Sequence, residues 1–366
     1  MSGGSIIGVL ALLAATGIAA SQLISVSTAE DTSAPAVVAC TGSAAIEFAC
    51  HARRYRQLVR RDGARAALRA LAADQRRNGY VRAACHQLTH RIGRAAGALH
   101  GIDALRDGRS VCASGYYHGV LQAVMGRAGA RASVERAAAI CAASRADERR
   151  SAEHYNCVHG MGHGFMEVFS SRVFQSLHGC EALRDRWEQD ECSGGVFMEN
   201  VTAIDNRARP ARSLRSGQPL YPCTAVARRF WEQCYDWQVT YALYVNDSDF
   251  GAVFGLCAAT PVGARRPCYR GLGGDALQQS NFVTSPAARR ATIRRLCAMG
   301  PGRAARRACI EGAVRNMYRD YADGDVQARA LCASMRDVRA GAERAACRRA
   351  EAKTRRAVAL PETAQP

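Results

Sequence analysis

The chain has 366 residues, 48% of them hydrophobic, which is ample for a packed core and excludes an intrinsically disordered protein. The formal charge is +18, carried almost wholly by Arg; Lys353 is the single lysine. The arginines are spread along the chain without zinc-finger spacing, an RNP-type segment or a basic region leading into heptads, so no specific nucleic-acid partner is expected. This usage fits GC-rich bacterial codons and a solvated basic surface. Such a surface suits anionic lipid, an acidic partner or an envelope polymer.

Residues 6–26 form an uncharged apolar run long enough to span a bilayer. Ser27-Thr28-Ala29 offers a small-x-small cleavage site. No Lys or Arg precedes Arg53, so the positive region that usually opens a signal peptide is missing. Residues 1–29 are therefore read as a signal peptide or an N-terminal membrane anchor, and 30–38 as a linker. The expected location is secreted or membrane-anchored, outside the cytoplasm.

Sixteen cysteines, with no C-x-x-C among them, exclude thioredoxin chemistry, c-type haem attachment and zinc ribbons, and leave disulfides in an oxidising compartment. Their order suggests sequential pairs: Cys40–Cys50, Cys85–Cys112, Cys141–Cys157, Cys180–Cys192, Cys223–Cys234, Cys257–Cys268, Cys297–Cys309 and Cys332–Cys347. From Cys141 onward the first member recurs every 34 to 43 residues, a period typical of helix-pair repeats. Cys112, Cys157, Cys192, Cys268 and Cys309 each begin a C-x-x-G. Gly costs about 1 kcal/mol against Ala inside a helix, so its recurrence points to helix backbones in close contact. The expectation is an all-α array of disulfide-stapled helix hairpins, α-solenoid-like, in which stacking closes a core that no hairpin closes alone. The layout resembles cysteine-rich helical repeat proteins in architecture alone, and no family is recognised by its motifs.

The repeats are expected over 39–202 and 223–356, separated by a Pro- and Gly-containing loop over 203–222 and followed by a disordered tail over 357–366. The aromatic run at 230–244 places Trp231 and Tyr235, and Trp237 and Tyr241, one turn apart, which is core spacing between repeats.

The histidines carry the chemical signal. Cys85-His86-Gln-Leu-Thr-His90 and Cys157-Val-His159-Gly-Met-Gly-His163 each put two imidazoles one helical turn apart, where both can bind one ion. His118 and His163 each lie six residues after their cysteine, in Cys112 and Cys157, so they hold equivalent places in adjacent repeats. His86, His90, His118, His159 and His163 are thus the candidate ligands, for Zn, Cu, Fe or Ni. Glu167 and Glu199 are the candidate carboxylates, as spare ligands or as the general base for metal-bound water. H-E-x-x-H is absent, and no nucleophilic triad stands out in the sequence. The expected function is an extracytoplasmic metal-binding protein, with metal-dependent hydrolysis as its chemistry. The alternative is a non-catalytic interaction scaffold that holds an acidic partner or polymer on its basic surface.

Overall fold

The computed structural model describes residues 40–109, 111–144, 151–202, 211–283, 285–321, 323–335 and 341–357. The expected export segment and linker, residues 203–210 of the loop, and the tail beyond residue 357 lie outside these. The described residues contain helices and no strands.

The N-terminal helices are α1 (Ala44–Asp62), α2 (Ala64–Arg77), α3 (Gly79–Ala83), α4 (Cys85–His100), α5 (Gly115–Ala128), α6 (Ala130–Glu135), α7 (Ala137–Ile140), α8 (Ala152–Val168), α9 (Val173–Glu181) and α10 (Arg186–Thr202). After the loop come α11 (Trp231–Val245), α12 (Phe250–Ala259), α13 (Val262–Ser280), α14 (Pro286–Ala298), α15 (Arg303–Asp320), α16 (Gly324–Ala333) and α17 (Gly341–Ala357). Side-chain caps start several of them. The side chains of Ser151, Asp249 and Ser285 accept from the backbone N–H three residues on, and Pro286 follows Ser285 at the first helical position.

The long helices pack in chain order: α1 on α4, α4 on α5, α5 on α8, α8 on α10, α10 on α11, α11 on α13, α13 on α15 and α15 on α17. Shorter helices fill in: α9 packs on α8 and α10, α14 on α13 and α15, and α16 on α15 and α17. Helices flanked on both sides must be apolar or tightly paired nearly all round. Accordingly every residue from Gly115 to Gln122 in α5 is buried.

All eight disulfides join the sequential pairs. Cys180, Cys257, Cys297 and Cys332 sit near the ends of α9, α12, α14 and α16, and their partners lie in the long helix that follows. Each loop closure is worth about 3 kcal/mol through the unfolded state. Cys85–Cys112 departs from that layout. It ties the start of α4 to the residues just before α5, across the whole of α4.

The recurrent glycines permit backbone contact. A Cβ at Gly195 would meet the carbonyl oxygen of His159, and one at Gly119 would meet that of His90. Gly119 therefore sets the distance between α4 and α5, and Gly195 that between α8 and α10.

Candidate metal centre

Helices α4, α5 and α8 bring the five candidate histidines together. His118, His159 and His163 are buried, while His86 and His90 are half-buried at the edge. The rings of His118 and His163 stack with centroids 4.0 Å apart and an interplanar angle of 12°. His90 lies 5.1 Å from His118 and 5.4 Å from His163 by ring centroid.

Two triads emerge. His86, His90 and His118 form one, and His118, His159 and His163 the other, each with one nitrogen per residue within 4.8 Å of the others. His118 belongs to both. In the first triad, His90 Nε2 lies 3.1 Å from His86 Nε2 and 3.2 Å from His118 Nδ1. A tetrahedral ion with bonds of about 2.0–2.1 Å sets its ligand atoms about 3.3 Å apart, so this spacing is that of a coordination edge.

The outward-facing nitrogens explain which ones turn inward. His86 Nδ1–H donates to the carbonyl oxygen of Cys112 at 2.8 Å, leaving Nε2 as the lone-pair atom on the cluster side. His90 Nδ1 meets Gln122 Oε1 at 3.3 Å, and that oxygen also accepts from Arg94 at 3.1 Å. His163 Nδ1 donates to Glu199 at 2.7 Å. Metal-binding imidazoles are commonly fixed by such a carbonyl, amide or carboxylate partner. Among the described residues, His163 Nε2 and His159 Nδ1 are buried without a hydrogen-bond partner. Orphaned buried nitrogens of this kind cost free energy that a bound cation would recover.

Burial lowers the pKa of all five histidines below the ordinary 6.5, most strongly for His90, His118, His159 and His163, where their imidazole neighbours add to the effect. They are held neutral, the form that ligates metal.

The two carboxylates separate. Glu199 belongs to the cluster, but as the partner of His163 Nδ1 rather than as a spare ligand. Glu167, although one turn beyond His163, forms an ion pair with Arg94 of α4 at 2.7 Å. It is linked to the histidines through Arg94, Gln122 and His90.

Sequence reasoning missed four neighbours. Gln122 orients His90. Met198 lies six residues after Cys192, the register of His118 and His163, and its Sδ is 3.4 Å from His159 Nε2. Tyr155 stacks on His159 with centroids 5.5 Å apart, and Trp237 lies 6.2 Å from the same ring, with Arg319 4.7 Å over its own. Register signalled Met198, and helical spacing put Tyr155 one turn before His159 and Gln122 one turn after His118; nothing local signalled Trp237.

A separate buried row joins Ser144 Oγ to His154 Nδ1 at 3.1 Å and His154 Nε2 to Glu188 at 3.0 Å. The Ser144 hydroxyl donates to the carbonyl of Cys141 at 2.7 Å, and Glu188 also accepts from the Arg184 N–H.

Comparison with family models, curated proteins and solved structures finds no match to this chain. Among the described residues no helix is long and apolar enough to cross a membrane.

Proposed function

We propose that the histidine cluster is a transition-metal centre and that the protein is an extracytoplasmic metalloprotein with hydrolytic chemistry. The observation that carries this reading is the inward convergence of five neutral imidazoles, three with their second nitrogen fixed by an outer partner. A structural role for the same residues would satisfy their nitrogens within the protein, yet His159 Nδ1 and His163 Nε2 have no such partner among the described residues.

His86, His90 and His118 supply three ligands at coordination-edge spacing, which leaves a fourth position for water. A bound ion would lower the pKa of that water towards about 7. The half-buried edges of His86 and His90 give the route of entry. Glu199, through His163, is the carboxylate placed to take up the developing positive charge on an imidazole that accepts a proton. His159 and His163 provide a second triad through the shared His118, an alternative seat for one ion, since neutral His118 offers a single lone pair. Imidazole ligands favour Zn, Cu, Fe or Ni.

The test is elemental analysis of the full chain purified from an oxidising compartment, beside a His86→Ala/His163→Ala variant. Stoichiometric metal in the parent and its loss in a variant with an unchanged disulfide map supports the centre. A parent that stays metal-free after reconstitution removes it.

A further inference from the structure

The first and fourth helices enclose a groove of about 530 Å³ that the histidine centre does not use. Its floor is apolar, from Phe48 and Ala52 of α1 and Ala95 and Leu99 of α4. Its walls carry Arg53, Arg56 and Arg60 from α1 with Arg91 and Arg94 from α4, and among the described residues no acidic one lines it. On α1 these arginines recur at helical spacing, so they form one stripe beside the floor. Arg91 sits 5.5 Å over the Phe48 ring, and Arg94 is held by Glu167 and Gln122. Arg53, Arg56, Arg60 and Arg91 are solvent-exposed.

Two features together select the occupant. A cluster of guanidinium groups attracts phosphate or carboxylate and binds it in forked hydrogen bonds. A soluble polyanion gains nothing from an apolar floor, whereas an acyl chain does, at about 25 cal/mol per Å² covered. Leu99, on that floor, is 51% exposed, so an acyl chain lying there would cover apolar surface that now faces water. An amphiphile with an anionic head matches both halves of the groove. α1 is also the first described helix after the uncharged run at 6–26, the part of the chain with bilayer-spanning length.

We infer that the α1–α4 groove binds a phospholipid with a net negative head, the phosphate held by Arg53, Arg56 and Arg60 and an acyl chain lying along Ala52, Ala95 and Leu99. This site is independent of the metal centre and stands or falls without it.

The test is calorimetric titration of the full chain with dihexanoyl-phosphatidylglycerol below its micelle concentration. Dihexanoyl-phosphatidylcholine and glycerol phosphate serve as comparison ligands. The anionic lipid is expected to bind at least about tenfold more tightly than the zwitterionic one, and glycerol phosphate more weakly than either. An Arg53→Gln/Arg56→Gln/Arg60→Gln variant is expected to lose on the order of 100-fold in affinity, from the usual contribution of each basic residue near an anionic lipid. Leu99→Asp is expected to lose lipid binding while keeping the disulfide map. Because the altered residues are exposed, the disulfide map and helical circular dichroism of both variants should equal the parent's, which checks the fold. Equal binding of the two lipids, undiminished binding by the triple variant, or glycerol phosphate binding as tightly as the lipid would each overturn the assignment. The last of these would make the groove a soluble-phosphate site.

Discussion

His118 and His163 stack face to face at 4.0 Å, although 45 residues separate them, because each lies six residues after the second cysteine of its repeat. The shared register makes His118 the common member of both triads. Its replacement should therefore be the most damaging single change at the centre. His118→Ala is expected to weaken metal binding by more than the roughly 10–100-fold cost of an outer-sphere change. His178→Ala, at an exposed histidine outside the cluster, should leave metal content unchanged. Competition with a chromophoric chelator measures both, and equal affinities for the two variants would remove His118 from the site.

Glu199 fixes the ring of His163 through Nδ1. Glu199→Ala should lower metal affinity by about 10–100-fold without unfolding the chain. Glu199→Gln retains a carbonyl oxygen to accept the same proton and should recover part of that loss. A Gln variant as weak as the Ala variant would show that charge, rather than orientation, is what matters.

The separation of the long helices depends on glycine. Gly195→Ala forces a methyl group into the backbone carbonyl of His159 and should destabilise by about 1–3 kcal/mol, because backbone cannot yield as a side chain can. Gly217→Ala, with open space around it, should change stability by no more than about 0.5 kcal/mol. Thermal unfolding of the two variants gives the comparison; similar melting temperatures would mean that the helices can move apart freely.

Asp275 of α13 accepts a hydrogen bond from Thr240 at 3.2 Å, and burial pushes its carboxyl up from 3.8 to about 7. Its folded pKa is thus above its unfolded one. Its contribution to stability is full below about pH 4 and is lost as pH rises towards 7. Asp275→Asn, which stays neutral, should be more stable than the parent at pH 8, by on the order of 2–4 kcal/mol, with the advantage gone near pH 4. Denaturant titrations across that range read the difference, and a gap independent of pH would place the carboxyl near its ordinary value.

Asp236 shows how local sequence leaves such charges unresolved. Burial alone would raise its carboxyl, but Arg270 at 3.0 Å and Arg315 at 3.4 Å hold it below the usual range. The three residues come from α11, α13 and α15; Asp236 and Arg270 each lie two residues after the second cysteine of adjacent repeats, but that register does not show that Arg315, six residues after Cys309, also turns to Asp236.

The sequence alone determined the helical class, the disulfide pairing and the histidine set, because each rests on a period. From Cys141 onward cysteines repeating every 34 to 43 residues suggest one neighbour each, and imidazoles four apart on a helix share a face. It also placed His118 beside His163, since repeats in register put equivalent positions side by side. Tertiary structure alone decided which nitrogen of each ring faces the cluster, because that follows from acceptors such as Cys112, Gln122 and Glu199 on other segments. It alone separated Glu199 from Glu167. Helical spacing put Glu167 beside His163, but Arg94, 73 residues earlier, draws its carboxylate away. The α1–α4 groove was likewise invisible in the sequence, where its arginines read as part of an even basic surface. Only the packing of two helices sets them around a common apolar floor.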